Sequence, residues 1–137
     1  MPEEFILQLP SAVGPNESLA RYLTHSNHYN LQTRSVRPTA FEPPSDLRLS
    51  VFRINGLDIE HVWKIGQVNV IGAMSRPRTL YGIGKIKASA VSHVHLDIDP
   101  DNVPPRHACL VGWPEQKSRR MSIAQELAAS ASLILRS

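Results

Sequence analysis

The sequence is poor in cysteine, in aromatic side chains and in long apolar runs. Its one cysteine, Cys109, excludes an internal disulfide and a cysteine-rich zinc site. Aromatic residues make up only 6% of the 137, which leaves the core to Val, Ile, Leu and Ala. No run approaches the roughly 18 consecutive apolar residues of a membrane-spanning helix. The opening MPEEFILQLP carries two glutamates where a secretory signal would be positive, and no small-residue cleavage site follows it. A cytoplasmic protein without a membrane partner is the expectation. Neither sign of charge dominates: 15 Lys and Arg stand against 12 Asp and Glu, a net +3 that does not by itself predict nucleic-acid binding. What is present, 42% hydrophobic and 20% charged residues, suits a folded chain forming one domain over residues 1–137.

Periodicity and turn chemistry outline the elements. Residues 4–9 read as a short strand closed by Pro10. Asn16 is placed to cap a short helix over 17–24, with Leu19, Tyr22 and Leu23 on one face. Residues 25–44 are polar and interrupted by Pro38 and Pro43-Pro44. They read as a long loop, functional or mobile, with one extended piece near 33–37. Residues 47–54 alternate as a strand and end in an Asn55-Gly56 turn. Asp58 then caps a helix running from Ile59 towards Met74, although 67–72 is rich enough in β-branched residues to be a strand. Strands are expected at 80–88, 92–98 and 107–113, with Gly82 and Gly84 marking a bulge or a close backbone approach. The stripe Met121, Ala124, Leu127, Ala128, Ala131, Ile134 and Leu135 predicts a long C-terminal helix over 115–136. The sum is α+β: a mixed or antiparallel sheet of about four to five strands with two or three helices on one face.

Chemistry is suggested at several places. The loop His25-Ser26-Asn27-His28-Tyr29 precedes Arg34 and Arg37, a mixture suited to holding a phosphodiester. Imidazoles serve there as base and acid, and guanidinium groups neutralise phosphate. His107, at the head of its strand, is a third candidate acid/base. Eleven of the 15 basic residues are arginine, whose planar fork matches phosphate. They cluster: residues 21–53 hold five arginines against two acids, and residues 76–87 hold Arg76, Arg78, Lys85 and Lys87 with no acid. Arg34, Arg37, Arg53, Arg76, Arg78 and Lys85 are the candidate phosphate contacts, with Arg53 alternatively a structural partner of Asp58 or Glu60. His93, His95 and Asp97, alternating on an expected strand, form a candidate divalent-metal site. Same-face strand residues lie about 7 Å apart, so such a site needs a further ligand such as His107 or His61. Cys109 lies in an apolar run and reads as inert core.

These features rank the functions. The leading expectation is a nucleic-acid-binding or processing protein, RNA-directed, without a resident cofactor. Tyr22, Tyr29, Phe41 and Tyr81 are the candidates for base stacking. Convergence of Arg34, Arg37, Arg53, Arg76 and Arg78 on one face would favour it. The alternative is a non-enzymatic interaction module, a small subunit of a bacterial-type assembly or a homo-oligomer packed through the small residues of the C-terminal helix. A metal-dependent hydrolase is third.

Overall fold

A computed structural model describes residues 12–137, so the strand expected at 4–9 lies outside the described residues. The fold is α+β, a single small domain. Its strands are β1 (Ser18–Leu23), β2 (Tyr29–Asn30), β3 (Ser35–Val36), β4 (Leu49–Arg53), β5 (Gly82–Lys87), β6 (Asp97–Asp99), β7 (His107–Val111) and β8 (Ser132–Leu135). Its α-helices are α1 (Ile59–Ile65), α2 (Ala88–His93) and α3 (Lys117–Ser130). Six strands form one antiparallel sheet in the order β6-β7-β4-β1-β5-β8, and β2 and β3 form a separate hairpin. No helix among the described residues is long and apolar enough to cross a membrane.

The sheet is covered on both faces rather than on one. One face carries Leu19, Leu23, Leu49, Val51, Ile86, Ala108 and Leu110 beneath α2, α3 and the 3-10 turn Pro38–Phe41. The other carries Ala20, Tyr22, Phe52 and Ile83 beneath α1, which contributes Val62 and Ile65. This two-sided burial explains why residues 17–24 are a strand and not a helix. β1 is paired on both edges and packed on both faces, so it shows no polar/apolar alternation. Leu19, Tyr22 and Leu23 then mimic helical spacing although Tyr22 sits on the opposite face from Leu19 and Leu23.

Three further expectations are corrected. Residues 92–98 are not one strand: α2 ends at His93, His95 turns with a φ of 63°, and only Asp97–Asp99 pairs with β7. Ala88, Val91, Val94 and Leu96 are buried, and the period-two reading of 92–98 placed Val94 and Leu96 correctly on the apolar side. The C-terminal helix stops at Ser130, and Ser132–Leu135 turns back as β8 on the edge of β5. Gly82 makes that pairing feasible, because a Cβ there would sit 2.3 Å from the Ile134 carbonyl oxygen. The close approach expected at the glycines is therefore real. The expected 25–44 loop contains the β2–β3 hairpin and two 3-10 turns, and Ala40 and Phe41 are core. The small residues Ala124 and Ala128 of α3 are buried within the chain's own core.

The middle of the chain follows expectation. Asp58 caps α1 by accepting the His61 backbone N–H at 2.9 Å. The helix continues through one π-helical segment, Gly66–Val70, and a last turn, Ile71–Ala73. Gly66 lies against Tyr22, where a Cβ would fall 2.5 Å from the ring.

Candidate functional site

Two polar clusters stand out, and each gathers residues remote in sequence. The first forms where β1 ends. The Thr24 backbone N–H donates to His28 Nδ1 at 3.2 Å, which seats the imidazole in a buried turn. Burial, reinforced by the charges of Arg21 and His25, pushes His28 down to about 4. His28 is thus neutral near pH 7, with one ring nitrogen committed to the backbone. The His25 ring stands edge-on to it, centroids 5.1 Å apart. Arg78 Nη1 donates to His25 Nδ1 at 3.2 Å, so the 76–78 segment closes over the 25–29 turn.

The hairpin then turns Tyr29 and Arg37 towards the same place. Tyr29 pairs with Val36, and Arg37 donates its backbone N–H to His28 O (2.8 Å) and its Nε to Tyr29 O (3.1 Å). The Tyr29 ring meets Tyr81, centroids 5.5 Å apart and tilted by 48°. Tyr81 is fixed through its backbone, donating to Leu23 O and accepting from the Arg136 N–H. Both tyrosines are half-buried, while Arg37, Arg78 and Arg136 are exposed. The result is a connected set of two aromatic rings, an imidazole and guanidinium groups, and no carboxylate takes part in the bonds that join it.

Other basic candidates are distributed less favourably. Arg34 is exposed in the hairpin turn at a φ of 52°, Arg76 is exposed in the coil before β5, and Lys85 is half-buried across from Ala20 and Ser132. Arg53 is completely buried and donates to both oxygens of Glu17, at 2.6 and 3.0 Å, so it faces no phosphate. Its partner is neither Asp58 nor Glu60. The β1–β4 register sets Leu19 opposite Arg53, so Glu17, just ahead of β1, meets the end of β4. Tyr22 and Phe41 are likewise withdrawn from base stacking: Phe41 is core, and the Tyr22 hydroxyl donates to Val62 O at 2.6 Å.

The second cluster forms around His107. The turn 99–107 is tightened by an Asn102 N–H bond to His107 O (2.8 Å) and a His107 N–H bond to Pro104 O (2.9 Å). It brings Asp101 Oδ1 within 2.7 Å of His107 Nδ1. The β4–β7 register places Ser50 opposite Cys109 and Phe52 opposite His107. His107 Nε2 thereby lies 3.0 Å from Ser50 Oγ, with the Phe52 ring packed edge-on to the imidazole at 5.3 Å. Burial raises the Asp101 carboxyl, but the bonds from His107 and the Val103 N–H outweigh it and hold the group below its ordinary value. Burial pushes the Cys109 thiol up, against the neighbouring Arg48 charge. Arg48 is itself bonded to Asp99 at 2.6 Å.

The expected metal site is not assembled. His93 and His95 border an open groove with Gly112, Arg119 and Glu126, but they do not join Asp97 as a ligand set. Among the described residues, the trio of His, Cys, Asp or Glu side chains with donor atoms within 4.8 Å of one another is Asp101, His107 and Cys109. His61 lies elsewhere, bonded to Asp58 at 2.6 Å. Sequence reasoning singled out His107 but missed Ser50 and Asp101 as its partners. Asp101 carried a local signal, an aspartate in a turn six residues ahead of a histidine. Ser50 carried none, because only the strand register makes it a neighbour. No protein-family model, no curated protein and no solved structure matches this chain.

Proposed function

We propose that the chain binds single-stranded nucleic acid, RNA in particular, on the Tyr29–Tyr81 surface. The observation that carries the reading is the junction of two basic segments. The Arg78–His25 bond and the Tyr29–Tyr81 ring contact join residues 25–37 to residues 78–81 in one place. Tyrosine rings are platforms for bases of any sequence, here through the solvent-facing part of the half-buried Tyr29 and Tyr81, and arginines beside them serve the phosphates. Unpaired bases are what such a surface accepts, whereas a duplex keeps its rings stacked internally. Arg37 and Arg78 flank the rings. Arg34 and Arg76 are exposed and close in sequence to Arg37 and Arg78. His25 is the imidazole of this surface available for proton transfer, since His28 is seated in the fold.

Fluorescence anisotropy of a labelled single-stranded RNA at two salt concentrations tests the reading. Binding should weaken as salt rises, because each phosphate contact to a single strand adds roughly 0.7 to the log–log slope. Arg37→Ala with Arg78→Ala should weaken binding and flatten that slope. Tyr29→Ala should cost about 1–3 kcal/mol of binding, and Tyr29→Phe should retain most of it. No binding at low salt, or affinity indifferent to salt and to Arg37 and Arg78, would overturn the proposal.

A further inference from the structure

The geometry points to a second site, in which Ser50 is an acyl-transfer nucleophile activated by His107 and oriented through Asp101, acting on neutral, short-chain esters. It stands whether or not the tyrosine surface binds RNA. His107 has both ring nitrogens engaged, Nδ1 by a carboxylate at 2.7 Å and Nε2 by a hydroxyl at 3.0 Å. An ionised carboxylate can only accept, so Nδ1 keeps its proton and donates it in that bond, which leaves Nε2 as the acceptor for the Ser50 O–H. That tautomer is the one a general base needs. The base is shielded, its side chain 13% exposed, while Ser50 is open to solvent. The base is therefore held away from water while the hydroxyl it polarises can meet a substrate. The supports are rigid: Ser50 and His107 sit on adjacent strands, and Asp101 on a turn closed by backbone hydrogen bonds.

The chemistry closes on itself. Ser50 Oγ attacks the ester carbonyl carbon while its proton passes to His107 Nε2. The tetrahedral intermediate then expels the alcohol, which leaves with that proton. Water attacks the acyl-serine, gives a proton to Nε2, and Ser50 Oγ recovers it as the carboxylic acid departs. Asp101 remains ionised throughout and stabilises the imidazolium.

The surroundings select the substrate class. Asp99 and Asp101 share this region with one cation, Arg48, which already answers Asp99. An anionic substrate such as a phosphodiester would meet two carboxylates, whereas a neutral ester meets no such repulsion. The hydroxyl stands on an open face, so a short acyl group fits better than a long chain that needs enclosure. Divalent-metal binding by Asp101, His107 and Cys109 is the competing use of the same atoms. It requires a thiolate at Cys109, whose ionisation burial opposes, and breaks the existing Asp101–His107 bond. The observed bonding favours the nucleophile.

The test uses the full chain and a neutral fluorophosphonate probe, which forms an Oγ–P bond and releases fluoride. Peptide mapping should place the label on Ser50, and wild-type protein should hydrolyse p-nitrophenyl acetate with turnover. Ser50→Ala should abolish both. It removes one exposed hydroxyl, so its melting temperature should match the wild type. His107→Gln and Asp101→Asn should each slow labelling by about 100-fold or more. Cys109→Ala should label like the wild type. Labelling at any other residue, labelling that survives His107→Gln, or an unlabelled but folded wild type would overturn the proposal. So would stoichiometric Zn²⁺ uptake that is lost in Cys109→Ala.

Discussion

Replacing Glu17 by glutamine should destabilise this protein more than any surface change. Glu17 is 6% exposed and Arg53 is fully buried, and the two are joined by bonds of 2.6 and 3.0 Å. The pair fastens the segment ahead of β1 to the end of β4. Glutamine keeps the shape and one acceptor oxygen. It also turns an N–H group towards the guanidinium and removes the negative charge that Arg53 meets at Glu17. Removing one partner of a buried pair costs about 3–5 kcal/mol, and the retained acceptor places Glu17→Gln near the lower end, at about 3 kcal/mol. Against a total stability of about 5–15 kcal/mol, that is a large fraction. It corresponds to a melting temperature lower by roughly 10 °C for a chain of this size. Urea unfolding followed by tryptophan fluorescence at pH 7 measures it directly. The double variant Glu17→Leu with Arg53→Met removes both charges and should recover most of the loss. A Glu17→Gln penalty under about 1 kcal/mol, or a double variant as unstable as the two single changes summed, would refute the electrostatic account.

Three further outcomes follow from the same contacts. Gly82→Ala should cost about 1–3 kcal/mol, because its Cβ would press 2.3 Å from the Ile134 carbonyl. Hydrogen exchange should then show β8 opening first, and unchanged β8 protection would count against the tight β5–β8 approach. His28 is held at about 4 in the fold against an ordinary 6.5, so the unfolded chain takes up a proton that the native state refuses. Stability from this group is complete above about 6.5, declines as pH falls towards about 4, and levels off below. His28→Asn, which retains an acceptor for the Thr24 N–H, should show a shallower pH slope in urea melts across that window, and identical slopes would exclude His28 as the cause. Cys109, buried with its thiol raised, should react with a disulfide reagent only as fast as the protein opens. Immediate stoichiometric reaction in native buffer would contradict its burial.

Local signals carried some of this architecture unaided. β4, β5 and β7 follow from apolar runs bounded by turn residues, because those rules act within a few residues of chain. The Asp58 cap is a bond between neighbours in sequence, so it too was legible. Gly82 and Gly84 advertised a close approach, since a missing side chain in a strand has little other use. The basic segments were visible as composition, but their meeting was not. Arg37 and Arg78 come together only because the hairpin and the strand ends fold over the same turn.

Tertiary structure decided the rest, and the reason is the same each time. β1 is a strand because neighbours cover both its faces and both its edges, which erases the alternation that would have identified it. Ser132–Leu135 leaves a helical stripe because β5 offers an unpaired edge and a glycine where the backbones touch. Arg53 reads as a phosphate contact or as a partner of Asp58 or Glu60 until Glu17 is placed beside it by the β1–β4 pairing. Ser50, Asp101 and His107 span 57 residues of chain, and the register of two antiparallel strands brings their polar atoms within hydrogen-bond distance. Composition and spacing thus determined which residue types and which local segments were available. Strand register and two-sided burial determined which side chains face solvent and which face each other, because both depend on contacts that no local window of sequence contains.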